Sequence, residues 1–312
     1  MHTLPVEACP GCGSAGWAPF QIGPGIELRR CDRCSLAYAG EVADPDEIYV
    51  DGYLSGESAD GFGLDITHPG FQAFLDFCGD RRVEWVARWT RPPGAWLDVG
   101  CGSGEVLDAV VRAGWLGVGV EPVAASVAWA REHRPHLDVR ESRLEDAGLP
   151  EHSHDVVSAF HVLEHMADAT GFLRLLARWT RPGGFVVVEV PNVRSCHRRG
   201  WGADWPGLRP LEHVSHFSPR SLAATLERAG LDVVTIETRS FQYRRQTLDE
   251  ALGDLGLYHR RGLLHWMGSA ATREGVPVVA PTPMGWKLLG GLERLYRWVG
   301  VGQVNFAIAR VP

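Results

Sequence analysis

A glycine-rich loop at residues 98–104, Asp-Val-Gly-Cys-Gly-Ser-Gly, has the spacing of a ligand site. It follows the apolar segment 95–99, a predicted strand, and precedes a predicted helix that begins at Glu105. Glycines permit a tight turn with positive φ and let the backbone approach a ligand closely. The next predicted strand is followed by Glu121, whose carboxylate can accept both hydroxyls of a ribose. The pattern therefore predicts a ligand that contains a nucleoside.

Two nucleoside cofactors compete for such a loop. The dinucleotide fingerprint Gly-x-Gly-x-x-Gly/Ala needs a small residue at position 105, where this chain has Glu105. A carboxylate there would repel a pyrophosphate from the positive end of the helix. S-adenosylmethionine has no phosphate and carries an ammonium and a sulfonium, so it tolerates Asp98 and Glu105. The residues favour S-adenosylmethionine; a strand–turn–helix with purely structural glycines is the alternative.

Two Cys-x-x-Cys pairs, Cys9/Cys12 and Cys31/Cys34, have eighteen residues between Cys12 and Cys31. Each pair can present two thiolates from one tight turn, and two such turns make a tetrahedral sulfur site suited to zinc. Four thiolates leave no open position, so the metal would be structural. Iron and a redox dithiol are the alternatives.

An acidic residue and a histidine, Glu212 and His213, are the candidate catalytic residues. They follow a segment that contains Trp201, Asp204 and Trp205, which could line a pocket for a small organic acceptor. His213 could take a proton near neutral pH, with Glu212 orienting it. The alternative is that this segment only anchors the loop and caps the next helix.

Strands and helices alternate from residue 95 onward. This pattern predicts an α/β fold, a Rossmann-like doubly wound sheet of seven strands, mostly parallel with the last antiparallel, beside a small N-terminal zinc ribbon. The predicted helices include 71–89 and 286–299. The predicted strands are 95–99, 116–120, 137–139, 154–160, 185–190, 232–238 and 304–310.

Three regions follow from this reading. Residues 1–40 are the ribbon, 41–92 a linker or lid with the first helix, and 93–312 the catalytic domain with a helical insert at about 241–302. Tyr53 in the lid is expected to close over the cofactor. The apolar face of 286–299 is expected to pack on the core or to form a homodimer contact.

Composition narrows the class of protein. The 312 residues have a net charge of −7 and 45% hydrophobic content, which fits a globular enzyme and argues against a nucleic-acid partner. The N-terminal residues lack the pattern of a signal peptide, and no apolar run is long enough to span a membrane. We therefore expect a cytoplasmic protein that acts on a small molecule without a membrane partner.

Residues 95–190 resemble the core of a class I S-adenosylmethionine-dependent methyltransferase. The resemblance rests on the Leu-Asp-Val-Gly-Cys-Gly-x-Gly motif, the acidic end of the second strand, the segment 161–165 (His-Val-Leu-Glu-His) and the Arg-Pro-Gly-Gly turn at 181–184. It implies that Asp98 and the glycines hold the methionyl part, that Glu121 holds the ribose, and that 143–145 lie beside the adenine. The implied cofactor-binding residues are Tyr53, Asp98, Gly100, Cys101, Gly102, Gly104, Glu121, Pro122, Arg143, Leu144, Glu145, Phe160 and His161.

Together with the cysteine pairs, the chain is similar to zinc-bearing methyltransferases of natural-product biosynthesis. Sugar C-methyltransferases in that group carry a tyrosine two residues before their Glu-His, where this chain has Pro210. The expected reaction is therefore in-line methyl transfer to oxygen or nitrogen of a small biosynthetic intermediate. The alternatives are sugar-nucleotide C-methylation, action on RNA or protein, and a non-catalytic binding module recruited through the ribbon.

Overall fold

A computed structural model describes most of the chain. The described residues are 2–23, 26–44, 69–195, 198, 205, 207–209, 212–239, 268–273, 276–281 and 298–312. Tyr53 and the lid predicted around it lie outside them, as do Trp201, Asp204 and Pro210.

The central sheet has seven strands, as predicted. The seven strands are β6 (Ala95–Val99), β7 (Leu116–Glu121), β8 (Asp138–Glu141), β9 (His154–Phe160), β10 (Thr180–Pro191), β12 (Asp232–Arg239) and β15 (Val304–Arg310). The parallel pairs are β6 with β7, β7 with β8, β6 with β9, and β9 with β10, while β15 runs antiparallel to both β10 and β12. The strand order is β12-β15-β10-β9-β6-β7-β8, so the order of connection reverses between β6 and β9. Ligands bind at such a switch point in doubly wound sheets.

Five α-helices cover the described part of this sheet, and their ends follow local chemistry. The helices are α1 (Pro69–Val86), α2 (Glu105–Arg112), α3 (Ala124–His133), α4 (Ala169–Trp179) and α5 (Pro219–Arg228). Ser218 caps α5 by accepting a hydrogen bond from the Ser221 N–H at 3.1 Å, and Asp168 caps α4 by accepting one from the Gly171 N–H. Among the described residues, no helix combines the length and apolar character that crossing a membrane requires.

The N-terminal region forms a second, smaller sheet with the order β11-β4-β3-β2. Three of its strands, β2 (Trp17–Gly23), β3 (Ile26–Cys31) and β4 (Ala37–Tyr38), come from the N-terminal segment. The fourth, β11 (Ser215–His216), comes from the loop after β10 and pairs antiparallel with β4. Strands β1 (Thr3–Pro5) and β5 (Glu41–Ala43) form a separate pair beside it.

This small sheet shares a hydrophobic core with the large domain. The buried side chains of Cys9 and Leu36 belong to one cluster with Leu173 on α4 and Leu222 on α5. Thr170 adds hydrogen bonds from α4, since its hydroxyl donates to the Gly11 carbonyl at 3.0 Å and its N–H donates to the Pro10 carbonyl. The N-terminal region is therefore packed against the large domain and shares its hydrophobic core.

The segment at 241–302 differs from its predicted helical form where it is described. Strands β13 (Gly268–Arg273) and β14 (Val276–Pro281) pair as an antiparallel hairpin. Most of the predicted helix 286–299 lies outside the described residues, and only its last two residues, Trp298 and Val299, are seen as helical.

A buried ion pair joins α1 to the centre of the sheet. The Arg82 guanidinium donates to Glu189 Oε1 from Nη2 at 2.6 Å and from Nε at 3.2 Å, and both side chains are almost fully buried. Burial raises the pKa of Glu189, but Arg82 and His161 together outweigh it and hold that pKa below its usual range. Removing Glu189 would take a carboxylate partner from both of these cationic side chains.

We predict that Glu189→Gln lowers the free energy of unfolding by about 3–5 kcal/mol, because it removes the buried carboxylate that accepts both hydrogen bonds from Arg82. Equilibrium denaturation in urea measures the change. Glu151→Gln, which breaks an exposed pair with Arg178, is the matched control and should leave the unfolding midpoint unchanged. Equal stability of the Glu189→Gln variant and the wild type would contradict the prediction.

Candidate active site

The glycine loop turns directly from the end of β6 into α2. The N–H groups of Gly100 and Cys101 donate to the Val120 carbonyl at 2.8 and 3.2 Å, which ties the loop to β7. Gly100 has φ of +71°, and a Cβ there would lie 2.5 Å from Val162 Cγ2. Gly102 has φ of +53°, and a Cβ there would meet no atom within 4 Å. Gly100 is therefore required by packing, whereas Gly102 leaves a face of the loop open to a ligand.

Glu121 holds the loop from the end of β7. Its Oε2 accepts a hydrogen bond from the Gly102 N–H and its Oε1 accepts one from the Val123 N–H, each at 2.9 Å. Burial raises the pKa of this carboxyl although both N–H donors oppose the shift. Each oxygen keeps a further lone pair that could accept a ribose hydroxyl. The following residue, Pro122, is exposed beside it.

Asp98 lies buried at the end of β6. The Ser158 hydroxyl donates to Asp98 Oδ1 at 2.6 Å, and Ser158 in turn accepts from the Trp96 indole N–H at 2.8 Å. Burial, reinforced by the nearby charges of Glu105 and Glu121, raises the pKa of Asp98 to about 7. Three carboxyl groups around one loop make this edge of the sheet favourable for a cationic ligand.

Cys101 and Gly104 complete the loop without forming an open face. The Cys101 thiol is buried, a Cβ at Gly119 would lie 2.6 Å from its Sγ, and burial raises its pKa well above the usual range. Gly104 has φ of +83° and precedes α2, where a Cβ would lie 3.0 Å from Leu137 Cδ1. Both residues therefore fill space beneath the loop.

Two residues that the sequence reasoning missed support the same loop. Gln72 on α1 donates to the Ser103 hydroxyl at 3.4 Å. Arg134, just after α3, donates to the Ser103 carbonyl at 3.0 Å, to the Gln72 side chain at 3.0 Å and to Asp76 at 2.7 Å. No local motif marks either residue, since each lies 31 residues from Ser103 in the sequence.

The segment after β9 places His161 between two buried glutamates. His161 has φ of +58°, and its ring nitrogens lie 3.1 Å from Glu164 Oε1 and 3.1 Å from Glu189 Oε1. Burial lowers the pKa of His161, but the two carboxylates have the larger combined effect and raise this pKa to about 9. The imidazole is thus charged at neutral pH while 41% of its side chain stays exposed. Phe160 precedes it, with the Arg82 guanidinium 4.8 Å from its ring centre.

The segment predicted to lie beside adenine follows β8. Leu144 begins a short 3₁₀ turn, Leu144–Asp146, and is buried in the main core. Arg143 and Glu145 on either side of it are exposed. This arrangement leaves both charged side chains at the surface, near the carboxyl ends of β7 and β8.

The loop after β10, residues 192–218, which we call the acceptor loop, places Glu212 and His213 differently from the predicted pair. The Glu212 carboxylate lies 2.8 Å from Arg209, and His213 Nδ1 lies 3.1 Å from the Gly207 carbonyl. A carbonyl oxygen only accepts, so His213 Nδ1 carries the proton and Nε2 bears the lone pair. Burial, with His165 and His216 nearby, keeps the pKa of His213 well below its usual range. Gly207, rather than the Glu212 side chain, orients the imidazole.

The four cysteines lie together, as their spacing predicts. The four Sγ atoms all lie within 4.8 Å of one another. Cys9 Sγ lies 3.5 Å from Cys34 Sγ, and Cys12 Sγ lies 3.4 Å from Cys31 Sγ. A disulfide would bring two sulfurs to about 2.05 Å, so these are free thiols. The Gly13 N–H donates to the Cys9 carbonyl and the Ser35 N–H donates to the Cys31 carbonyl, which closes a tight turn around each pair.

Comparison with known proteins identifies the central domain. The model of a methyltransferase domain family matches residues 72–236. An S-adenosylmethionine-dependent methyltransferase of Mycolicibacterium smegmatis is 34% identical over 137 residues, which are 44% of this chain and 51% of that protein. A ubiquinone biosynthesis O-methyltransferase of Nitrobacter winogradskyi is 32% identical over 153 residues, 44% of this chain and 56% of that protein. The chain thus spans about half the length of the curated relatives it matches.

Solved structures match the fold over a longer stretch. An S-adenosylmethionine-dependent methyltransferase of Thermotoga maritima has a TM-score of 0.51 at 14% identity, covering 80% of this chain and 97% of that one. A chain from the complex of the Haloferax volcanii Trm112 methyltransferase activator with a methyltransferase has a TM-score of 0.52 at 18% identity, covering 79% and 93%. At these identities the likeness shows the fold alone.

We predict that Glu121→Gln weakens S-adenosylmethionine binding about 10–100-fold, the equivalent of losing one or two charge-assisted hydrogen bonds. The amide nitrogen of glutamine cannot accept from an N–H group, so one of the two backbone contacts is lost along with the charge. Isothermal titration calorimetry measures the dissociation constant. Glu141→Gln, at the exposed end of the neighbouring strand β8, is the control and should bind as the wild type does. An unchanged constant for Glu121→Gln would refute the assignment.

Proposed function

The chain belongs to the methyltransferase domain family as an S-adenosylmethionine-dependent methyltransferase, and we propose that it methylates oxygen or nitrogen of a small biosynthetic molecule. When bound, S-adenosylmethionine supplies an electrophilic methyl group on a sulfonium. The acidic edge formed by Asp98, Glu105 and Glu121 suits the positive charges of that cofactor. The names of the curated relatives that act in ubiquinone biosynthesis support an oxygen acceptor.

The observation that carries the acceptor proposal is the fixed tautomer of His213. Its Nδ1–H donates to the Gly207 carbonyl, which leaves the Nε2 lone pair free to take a proton. A hydroxyl or an ammonium acceptor must lose a proton before or during attack on the methyl carbon. We propose that His213 Nε2 receives it. Since the imidazole is 6% exposed, little water competes for that position.

Aromatic and aliphatic side chains adjoin the proposed acceptor site. Trp205, Leu208 and Val193 from the loop pack with Leu28 and Ala39 of the small sheet. An apolar surrounding of this kind favours a small organic acceptor, whereas a nucleic acid would need a basic surface. We propose a small molecule as the partner, with a homodimer contact through the apolar face of 286–299 as a further one, and neither nucleic acid nor membrane.

We propose that the cysteine cluster holds one structural zinc ion. Four thiols from two tight turns, with sulfur atoms within 4.8 Å of one another, fit a tetrahedral ion once the thiols are deprotonated. Cys9, Cys12, Cys31 and Cys34 would supply all four bonds. Because reduced thiols persist in the cytoplasm, we also propose that location.

The experiment that tests the function is transfer of a labelled methyl group. Purified protein is incubated with methyl-labelled S-adenosylmethionine and a cell extract that has been divided into small-molecule, RNA and protein fractions. We expect the label in the small-molecule fraction, where mass spectrometry identifies the acceptor. Label confined to RNA or protein would overturn the small-molecule acceptor. Binding of the cofactor without transfer to any fraction would favour the binding-module alternative.

We predict that His213→Asn lowers kcat about 100–10,000-fold, the usual contribution of a general base, and leaves cofactor affinity unchanged. Asparagine keeps a donor toward the Gly207 carbonyl and removes the Nε2 lone pair, so the loop geometry is preserved. Steady-state kinetics with the identified acceptor and calorimetry with the cofactor separate the two effects. His152→Asn, on the distant loop before β9, is the control. A kcat equal to that of the wild type would remove His213 from the mechanism.

For the ribbon, we predict that Cys9→Ser yields a protein with one zinc ion fewer per chain and a lower melting temperature. A structural zinc site contributes folding free energy directly, so losing it also loosens β4 and the strand β11 that pairs with it. Elemental mass spectrometry and thermal unfolding measure the two effects. Cys78→Ala, in α1, should keep its zinc. Unchanged metal content and stability in Cys9→Ser would refute a zinc role.

A further inference from the structure

Three potential metal ligands meet where the end of β9 faces the acceptor loop. Glu164 and His165 lie in the short 3₁₀ helix Leu163–His165, and His213 lies just before β11. One ligand atom from each residue lies within 4.8 Å of the other two. This His₂Glu cluster, as we call these three residues, shares no residue with the cysteine cluster.

Both histidines of the His₂Glu cluster have a fixed tautomer. His165 Nδ1 lies 3.1 Å from the Glu212 carbonyl, and His213 Nδ1 lies 3.1 Å from the Gly207 carbonyl. Each Nδ1 must donate, which leaves each Nε2 as a lone-pair donor. The two rings lie edge to face with centres 4.7 Å apart. Histidines that bind metals are oriented in this same manner by a backbone carbonyl on the other ring nitrogen.

Glu164 supplies the second, independent observation. The residue is fully buried, with 0% relative exposure. Its Oε1 lies 3.1 Å from His161 Nδ1, while its Oε2 is buried and makes no hydrogen bond within the described part of the chain. A buried carboxylate oxygen without a partner is costly, and such oxygens are rare unless an ion or a water satisfies them. A cation beside Glu164 Oε2 would remove that cost.

We propose that the His₂Glu cluster binds a divalent transition-metal ion, with zinc as the best match. Two imidazole nitrogens and one carboxylate oxygen are ligands that zinc and its first-row neighbours prefer, whereas magnesium and calcium prefer oxygen alone. Bonds of about 2.1 Å in a tetrahedron separate ligand atoms by roughly 3.4 Å, so the cluster contracts by on the order of 1 Å when it binds. Three protein ligands leave one position open.

The open position gives this site a function that four thiolates cannot have. An acceptor hydroxyl could enter it and be polarised by the ion, as happens to water on zinc held by three protein ligands. This consequence rests on the proposed acceptor site around His213. In the ion-bound protein the metal would occupy the Nε2 lone pair, so the hydroxyl would release its proton to solvent water instead of to His213. The metal site itself does not, because its occupancy is measured without any methyl transfer.

The test is cobalt binding to protein whose cysteine cluster is already filled with zinc. Cobalt is added to wild-type protein that holds one zinc per chain, and visible absorption is recorded. We expect the ligand-field bands of cobalt bound by nitrogen and oxygen, saturating at one cobalt per chain, without a thiolate charge-transfer band. Removing one ligand should weaken binding by at least the roughly 100-fold that even an outer-sphere partner can contribute. Glu164→Gln and His165→Asn are the variants.

The controls are Glu151→Gln and His133→Asn, which change an exposed glutamate and an exposed histidine elsewhere and should bind cobalt as the wild type does. Thermal unfolding of every variant identifies any that fail to fold. Wild-type protein that shows no ligand-field bands at saturating cobalt would overturn the proposal. So would folded Glu164→Gln and His165→Asn variants that bind cobalt with wild-type affinity.

Discussion

The pairing of β11 with β4 is the contact on which the arrangement of the site depends. Ser215 and His216 lie opposite Tyr38 and Ala37, and the Ala39 N–H donates to the Val214 carbonyl at 2.9 Å. β11 is thus an edge strand of the small sheet, and the turn that carries Cys31 and Cys34 joins β3 to β4, the strand with which β11 pairs. Backbone pairing fixes register, so His213 and His216 cannot shift without disturbing the small sheet. A binding module joined by a flexible linker would not have this constraint.

The opposite wall of the site is organised by charge. Asp98, Glu121 and Glu189 lie at or near the carboxyl ends of β6, β7 and β10; β6 and β7 are neighbours, and β9 lies between β6 and β10. Arg82 and His161 pair directly with Glu189, whereas the hydrogen bond that Asp98 accepts within the described residues comes from the Ser158 hydroxyl, and burial raises the pKa of Asp98 to about 7. The negative potential is therefore left on the side of the glycine loop. A sulfonium cofactor with an ammonium group supplies the missing positive charge.

Features encoded within a short stretch of sequence were predictable, and features that join distant segments were not. The glycine loop, the two cysteine pairs and the Ser218 cap each depend on residues a few positions apart, and the strand alternation follows from local apolar periodicity. Arg82 and Glu189 are 107 residues apart, and β4 and β11 pair across a still longer separation. A strand of two residues has no periodicity to detect. The sequence analysis predicted that the Glu212 side chain orients His213, but the orienting atom is the Gly207 carbonyl. A backbone carbonyl cannot be recognised from any residue type.

The tautomer of His213 links these observations to chemistry. A carbonyl on Nδ1 allows only one neutral form, so the reactive lone pair lies on Nε2 whatever the group is used for. A proton and a metal ion both need that lone pair and exclude each other from it. Burial disfavours the proton, because it penalises the charged imidazolium, and the adjoining carboxylate of Glu164 favours a cation. The same Nε2 lone pair can therefore accept a proton in the ion-free protein and bind the ion once the His₂Glu cluster is loaded.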